Sequence, residues 1–283
     1  MIRIDAHQHF WKLSRNDYDW LTPDLSSIYR DFLPTDLAPH LSRSGIDRTV
    51  VVQAAASDAE TAFLLDQAWQ SPFIAGVVGW TDLESQDAVT TIEALGQDRR
   101  LLGLRPMLQD LADDEWLLRP SIEPALAAMK TAKLRLDALL KPRHLPTLLR
   151  FLRRHPDLDV VIDHGAKPSI ATAAIDEWAS HMREIARTTN AFCKLSGLAT
   201  EAGAGWNEAM LKPYVDVLMN TFGPRRLMWG SDWPVLHLAY HATTALSPYA
   251  SWHDTALRLV DQLSDDERDC VFGGTAARFY GIA

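Results

Sequence analysis

Two histidines separated by a single residue form the first candidate site of this sequence. In the run Asp5-Ala6-His7-Gln8-His9, the alternation of side chains along a β-strand would place His7 and His9 on one face. Two imidazoles on one rigid wall can ligate a metal ion, or can act as two donors directed at one oxygen atom. The pair alone leaves both roles open.

A second group of polar residues follows an apolar run in the second half of the chain. The letters Val161-Ile162-Asp163-His164 indicate a buried strand that ends in an acid and a histidine. If the strand belongs to a barrel, His164 would point into its mouth. Alternatively, Asp163 bonds the backbone and the two residues cap the following turn.

An aspartate close to the carboxyl terminus is the third candidate. Asp232 stands in Gly230-Ser231-Asp232-Trp233, after the last strand-like run. There it could accept a proton from water or ligate a cation. Strings of this kind also form turns and helix caps. If all three segments end strands of one barrel, their side chains meet at one rim.

Five further residues are candidate substrate contacts. Arg105 could hold a substrate oxygen or form a salt bridge at the rim, and Gln53 could donate to a hydroxyl or be a buried, locally satisfied amide. Trp20, Trp80 and Trp233 are the tryptophans that we predict at the mouth, where rings can stack on sugars. Most of the ten tryptophans must instead pack between helices and barrel. We expect Lys194 to be an ion-pair partner rather than a base.

Short β-rich runs alternate with helical patterns along the whole chain. The predicted strands are residues 2–9, 48–55, 73–80, 101–107, 133–140, 158–164, 191–198 and 226–233. The predicted helices include residues 58–70, 122–131, 144–154, 173–188 and 207–222. In the first of them Ala62, Leu65 and Trp69 share a face. The alternation predicts parallel βαβ units and an α/β fold, a (β/α)8 TIM barrel, with a doubly wound open sheet as the alternative.

One connection interrupts this rhythm. Residues 10–34 are rich in aromatic residues and proline, show no periodicity and extend the loop after the first strand. In a barrel this loop would lie on the active-site face, and long loops are usually functional. Its alternative role is to pack over the barrel for stability.

Composition excludes several classes of function. The 283 residues carry a net charge of -9, whereas nucleic-acid binding needs a basic face. Cys193 and Cys270 do not form a disulfide framework or a metal-ligand spacing. No signal peptide and no apolar run of about 20 residues is visible, so neither secretion nor membrane insertion is expected. We expect one cytoplasmic domain over residues 1–283; whether it forms a homo-oligomer is left open.

Four ordered motifs resemble one known family. They are Asp5-Ala6-His7-Gln8-His9-Phe10-Trp11, Asp163-His164-Gly165-Ala166-Lys167-Pro168, Lys194-Leu195-Ser196-Gly197-Leu198 and Gly230-Ser231-Asp232-Trp233-Pro234. Together they resemble the amidohydrolase-related branch of the amidohydrolase superfamily, and within it the sugar lactonases that act on L-fuconolactone or L-rhamnonolactone. The resemblance extends over essentially the whole chain.

The resemblance implies a catalytic set and a reaction. His7, His9, His164 and Asp232 would line the site, with Asp232 as general base for the attacking water. The histidines themselves, or a single divalent ion that they hold with Asp232, would polarise the carbonyl; zinc is the expected metal if one is bound. The fifth predicted strand, residues 133–140, offers no histidine and no bridging lysine, so a two-metal centre is not expected.

Hydrolysis of a small sugar-acid lactone is the function that this inventory favours. When a ring ester is hydrolysed, the leaving group is an alkoxide, which departs with less protonation than an amine requires. One general base and one electrophile can therefore suffice. No GxSxG motif supports a serine nucleophile. The alternatives are a lactone isomerase or a decarboxylase on the same barrel, and a sugar-binding protein without activity.

Overall fold

Eight parallel strands form a closed barrel in the computed structural model, which describes residues 1–203, 205–240 and 247–283. The strands are β1 (Ile4–Gln8), β2 (Arg48–Val52), β3 (Ile74–Gly79), β4 (Leu101–Leu104), β5 (Arg135–Ala138), β6 (Val160–Ile162), β7 (Phe192–Leu195) and β8 (Leu227–Trp229). They pair in sequence order, and a bridge between Gln8 and Trp233 joins the last edge to the first. The predicted TIM barrel is confirmed, and the open sheet is excluded.

Helices cover the outside of the barrel between the strands. They are α1 (Pro34–Ser44), α2 (Asp58–Gln70), α3 (Ala88–Leu95), α4 (Glu123–Thr131), α5 (Leu145–Arg154), α6 (Asp176–Thr188), α7 (Leu198–Ala202), α8 (Glu208–Phe222), α9 (Pro248–Leu259), α10 (Asp265–Asp269) and α11 (Thr275–Tyr280). All five predicted helices are present and end at the predicted residues. The predicted strands are longer than the observed ones because they included the polar residues that follow each strand.

The buried face of α2 differs from the face that the sequence pattern suggested. Glu60, Thr61, Leu64 and Ala68 are buried, whereas Trp69 is 50% exposed. The guanidinium groups of neighbouring arginines lie over the Trp69 ring. A polar pair therefore occupies part of the inner face of α2, which an apolar pattern cannot predict.

The barrel interior is apolar at its lower end. Buried side chains from six strands pack against one another there: Ile4, Val50, Val78, Leu102, Val161 and Met228. Phe279 and Tyr280 of α11 close this end, and the side chain of Arg135 at the start of β5 donates to the Phe279 carbonyl oxygen at 2.8 Å. Polar side chains of the interior begin next to this layer, where the hydroxyl of Tyr280 donates to Asp137 at 2.7 Å, and continue to the carboxyl-terminal end of the strands.

The connection between β1 and α1 is the predicted extended loop. Trp11 and Phe32 exchange two backbone hydrogen bonds of 3.0 Å, which close the loop on itself. The rings of Trp11, Phe32 and Trp20 meet edge to face. Interactions of this kind make the loop a packed element of the fold rather than a free segment.

A buried carboxylate ties this loop to α2. Tyr18 donates its hydroxyl to Glu60 Oε2 at 2.7 Å, and the Ala54 amide donates to Glu60 Oε1 at 3.1 Å. Arg15 lies 3.5 Å from the same carboxylate and also pairs with Asp17. Burial raises the pKa of Glu60 from its ordinary value of 4.5 to about 7, against the lowering effect of these hydrogen bonds.

Two further findings concern the helices and the cysteines. Within the described ranges, no helix is long and apolar enough to cross a membrane. Both cysteines have free thiols, with Cys193 buried and Cys270 half-buried.

We expect the raised pKa of Glu60 to make stability depend on pH. Between pH 4.5 and 7 the unfolded chain ionises Glu60 while the folded chain keeps the proton, so the free energy of unfolding falls as pH rises. The loss across this window is about 3 kcal/mol, and Glu60→Gln should lack it. Urea unfolding of both proteins at several pH values measures the difference. A gap between the two proteins that does not change with pH would contradict the expectation.

Candidate active site

Three imidazoles and one carboxylate meet at the carboxyl-terminal end of the barrel. His7 is on β1, His9 follows it, His164 follows β6 and Asp232 follows β8. The Nε2 atoms of His7 and His9 are 3.2 Å apart, and His9 Nε2 is 3.3 Å from Asp232 Oδ1. The Nε2 atoms of His7 and His164 each lie 3.9 Å from the same oxygen. The structure therefore brings all four predicted catalytic side chains together.

Hydrogen bonds fix the orientation of two of these imidazoles. His9 Nδ1 is 2.8 Å from the carbonyl oxygen of Val52, which can only accept. His9 thus carries its proton on Nδ1 and presents the lone pair of Nε2 to the site. His164 Nδ1 is 2.8 Å from the hydroxyl of Ser196, which can donate or accept.

The two loop residues of the site have left-handed backbone conformations. His164 has a φ of 53° and Asp232 a φ of 56°, which cost roughly 1–2 kcal/mol each in residues other than glycine. Asp232 is held there by its amide, which donates to the His7 carbonyl oxygen at 2.8 Å. Gly197 is required beside His164, because a Cβ atom on it would lie 2.6 Å from His164 Nδ1.

A buried cationic network supports the imidazoles from inside the barrel. The ammonium of Lys194 contacts Asp137 of β5, lies 3.0 Å from Asp163 Oδ1 and 3.2 Å from His7 Nδ1. His7 Nδ1 also lies 3.4 Å from Asp163 Oδ1. That nitrogen therefore faces one donor and one acceptor, so either neutral tautomer of His7 has a partner. Lys194 is an ion-pair partner, as predicted.

The charges of the site follow from burial and from this network. Burial lowers the pKa of His164 to about 4 and, with Lys194 beside it, places the pKa of His7 well below its ordinary value. Burial alone would raise the pKa of Asp232, but the surrounding imidazoles, His164 first among them, outweigh it and lower that pKa. Asp163 is similarly kept ionised against burial, chiefly by Lys194. At neutral pH the site holds neutral His7 and His164 beside an ionised Asp232.

A cavity of about 300 Å³ opens above these groups. Its polar wall includes His9, Arg105, His164, Lys167 and Asp232. Its apolar wall consists of Trp20, Leu25, Ala54, Met107, Leu139, Val235 and Leu238. A volume of this size suits one small ring. Of the residues predicted from sequence, His9, His164, Asp232, Arg105 and Trp20 line it, and His7 lies directly behind His9.

The other predicted contacts lie away from the cavity wall. Gln53 is buried and donates its side-chain amide to the Arg105 carbonyl oxygen at 2.8 Å, while its backbone carbonyl accepts from the Arg105 guanidinium. Its side-chain oxygen has no hydrogen-bond partner among the described residues, so the expected local satisfaction of the amide is only half met. Trp233 is 1% exposed and packs edge to face on Phe10 and Phe32. Trp80 is half-buried, and its backbone is held by Thr61. None of these three side chains lines the cavity in the described part of the chain.

Arg105 has a position that is compatible with both roles considered for it. It lines the cavity and also lies 3.3 Å from Asp163 Oδ2. Its guanidinium is 3% exposed, so its charge acts in a site largely shielded from water.

Several residues of the site were not predicted from the sequence. Lys167 follows His164 by three positions, and its place in the same motif was the available signal. Asp137 was not singled out from the sequence, and Asp163 was considered only as a cap of the following turn; the structure places both beside Lys194. The apolar wall comes from separate loops, whose meeting no local pattern indicates.

One group of ligand atoms fits a single metal ion. His7, His9 and Asp232 offer atoms separated by 3.2, 3.3 and 3.9 Å. Tetrahedral zinc with bonds of about 2.0–2.1 Å separates its ligands by about 3.3 Å. The hydrogen bond from His9 Nδ1 to a backbone carbonyl is the orienting contact that metal-binding histidines usually have. The second group, His7, Asp163 and His164, already has the cations Lys194 and Arg105 at Asp163.

Comparisons with known proteins agree with this geometry. A family model described as amidohydrolase matches residues 4–282. The L-fucono-1,5-lactonase of Burkholderia ambifaria is 50% identical over 282 residues, covering 99% of this chain and 96% of that protein. The L-fucono-1,5-lactonase of Burkholderia multivorans is 36% identical over 298 residues, covering 99% and 96%.

A solved structure extends the similarity to the three-dimensional fold. The crystal structure of an amidohydrolase from Burkholderia multivorans with bound zinc superposes with a TM-score of 0.92 at 35% identity, covering 100% of both chains. The sequence motifs, the closed barrel and the histidine–aspartate cluster thus have one explanation: this chain belongs to the amidohydrolase family.

Proposed function

We propose that this chain hydrolyses the lactone of a small sugar acid, with a 6-deoxyaldonolactone such as L-fucono-1,5-lactone as the first candidate. The observation that carries the proposal is the ionised carboxylate of Asp232 among three imidazoles on the wall of a cavity that fits one ring. The two similar proteins named as L-fucono-1,5-lactonases support the substrate class.

Asp232 acts as the general base. It accepts a proton from a water molecule whose oxygen forms a bond to the lactone carbonyl carbon, and the carbonyl oxygen becomes an oxyanion. The bond from that carbon to the ring oxygen then breaks, and the proton returns from Asp232 to the leaving oxygen. Because the pKa of Asp232 is lowered, the base is fully ionised at neutral pH.

The remaining polar groups divide into donors and acceptors. His7 lies behind the cavity wall, where its Nδ1 contacts Lys194 at 3.2 Å and its Nε2 contacts His9 at 3.2 Å. The guanidinium of Arg105, which lines the cavity, is the donor for the developing oxyanion. Donors fixed in a buried site contribute about 10²–10³-fold to such reactions. His9 faces the cavity with a lone pair, which suits it to orient the water.

A zinc ion is compatible with the same site. When bound, it would be held by His7, His9 and Asp232, and would supply Lewis-acid polarisation of an oxygen atom.

The two walls of the cavity suggest how the ring is oriented. The hydroxyl-bearing side of a sugar lactone can contact Arg105 and Lys167, while an apolar substituent can contact Leu25, Met107 and Leu139. The methyl group of a 6-deoxy sugar is such a substituent, and each methylene-sized group buried in an apolar pocket is worth about 1–3 kcal/mol in discrimination.

We also propose a cytoplasmic location, which the two free thiols support.

The first test is proton release from five- and six-carbon aldonolactones, with protein stripped by a chelator. We expect rapid acidification with a 6-deoxyaldonolactone, and slower acidification with the matching lactone that carries a 6-hydroxyl. Activity that appears only after zinc is added would keep the reaction and make the metal essential. No acidification in either condition would contradict the proposal.

Replacement of the proposed base gives the second test. We expect Asp232→Asn to lower kcat by about 10²–10⁴-fold, because the amide cannot accept the proton from water. Circular dichroism and the unfolding midpoint should show that the barrel is intact. Near-normal turnover in a folded Asp232→Asn protein would refute the assignment of the base.

The close approach of Gly197 to His164 gives the third test. We expect Gly197→Ala to lower kcat by about 10²-fold, because the new methyl group displaces the imidazole and also strains a backbone with a φ of 64°. Gly45→Ala is the matched control: its φ is 65°, and nothing lies within 4 Å of the added Cβ atom. Equal effects of the two variants on kcat would show that the contact with His164 is not the cause.

A further inference from the structure

Glu60 is a buried carboxylate outside the catalytic cluster. It lies in the first turn of α2 and is 0% exposed. The start of the helix does not need its side chain, because the Ser57 hydroxyl already caps α2 by accepting the Glu60 amide at 3.0 Å. A buried acid that has no capping role and no substrate contact has a different reason for its position.

Both oxygens of Glu60 are bound to groups that hold Trp20. Oε2 accepts the hydroxyl of Tyr18, two residues before Trp20 in the loop, at 2.7 Å. Oε1 accepts the amide of Ala54 at 3.1 Å, and the carbonyl oxygen of Ala54 accepts the indole N–H of Trp20 at 2.7 Å. One carboxylate therefore fixes the backbone that leads to Trp20 and the acceptor that orients its ring.

The position of Trp20 depends on these contacts, because its ring lies at the open side of the cavity and is not enclosed by other side chains. It is 37% exposed, whereas the neighbouring Trp11 is fully buried. Trp20 and Ala54 both line the cavity that contains Asp232. Displacement of the loop would remove one side of the apolar wall and leave the catalytic cluster unchanged.

We propose that Glu60 is a positioning residue, which acts through Trp20 to hold the apolar wall against the substrate and so sets its affinity. It contacts neither the substrate nor Asp232. The proposal rests on the proposed lactone hydrolysis for its kinetic consequences. Its structural part, the restraint of the loop by Glu60, does not depend on the reaction.

A double-mutant cycle tests whether Glu60 acts through Trp20. Above pH 7, where the Glu60 carboxyl is ionised, we expect Glu60→Gln to raise KM about tenfold, because the amide oxygen can accept from only one of the two donors, while kcat changes less than about twofold. Trp20→Ala should raise KM at least as much. In the double variant, Glu60→Gln should add nothing to the effect of Trp20→Ala. Additive effects on KM, or an unchanged KM in Glu60→Gln, would overturn the proposal.

Two further variants separate this role from general destabilisation. Tyr18→Phe removes one hydroxyl from the same arrangement and should also raise KM, which keeps the test valid if Glu60→Gln does not fold. Thr61→Val is the control: Thr61 is the next residue of α2, is equally buried, and bonds the Trp80 backbone at 2.6 and 2.8 Å. We expect Thr61→Val to leave KM unchanged even if it lowers the unfolding midpoint.

Amide hydrogen exchange provides a readout that needs no activity. Amides of residues 16–21 should exchange faster in Glu60→Gln and Tyr18→Phe than in wild type, and at the wild-type rate in Thr61→Val. Equal exchange in all four proteins would overturn the proposal. If wild type hydrolyses none of the lactones, the proposed function fails, and the exchange comparison alone decides whether Glu60 holds the loop.

Discussion

The closure of the barrel between its first and last strands is the contact on which the site depends. The Asp232 amide donates to the His7 carbonyl oxygen at 2.8 Å, and the His9 amide donates to the Trp233 carbonyl oxygen at 2.7 Å. These bonds complete the ring of strands and hold the backbone of the proposed base directly against that of the two histidines. The same bonds keep Asp232 in a left-handed conformation that it would not otherwise favour. The contacts that close the barrel therefore also bring the polar groups of the site together.

Inside the barrel, buried charged side chains are accommodated because each has a partner of opposite charge. Lys194 lies between Asp137 and Asp163, and the hydroxyl of Tyr280 donates to Asp137 at 2.7 Å. An isolated charge at this depth would cost several kcal/mol, and removal of one partner would leave the others uncompensated. The network has a functional consequence as well, because it determines which groups surround His7. The ammonium and Asp163 both face His7 Nδ1, so the network fixes the orientation of the His7 ring.

The loop after β1 supplies part of the apolar wall of the cavity, which the strand ends of the barrel do not provide. Strand ends provide polar groups at fixed positions, but an apolar wall has to come from segments that cross the mouth. Here the loop contributes Trp20 and Leu25, and its own edge-to-face packing together with the contacts to Glu60 and Ala54 makes it rigid. Both roles considered for the loop, packing and substrate contact, are therefore compatible in one element.

The sequence by itself determined the order of strands and helices, the ends of the predicted helices and the identity of the four polar groups that meet. Strand and helix periods are local properties, and the four residues lie at or near the ends of predicted strands: His7, His9, His164 and Asp232. Only the tertiary structure decided which tryptophan reaches the cavity, since Trp20 and Trp233 both follow an aspartate, yet Trp20 is 37% exposed and Trp233 is 1% exposed. It also assigned partners to Glu60, Asp137 and Lys194, because a buried charge is explained by residues that are distant in sequence. Those contacts arise when the barrel closes, and no local pattern encodes them.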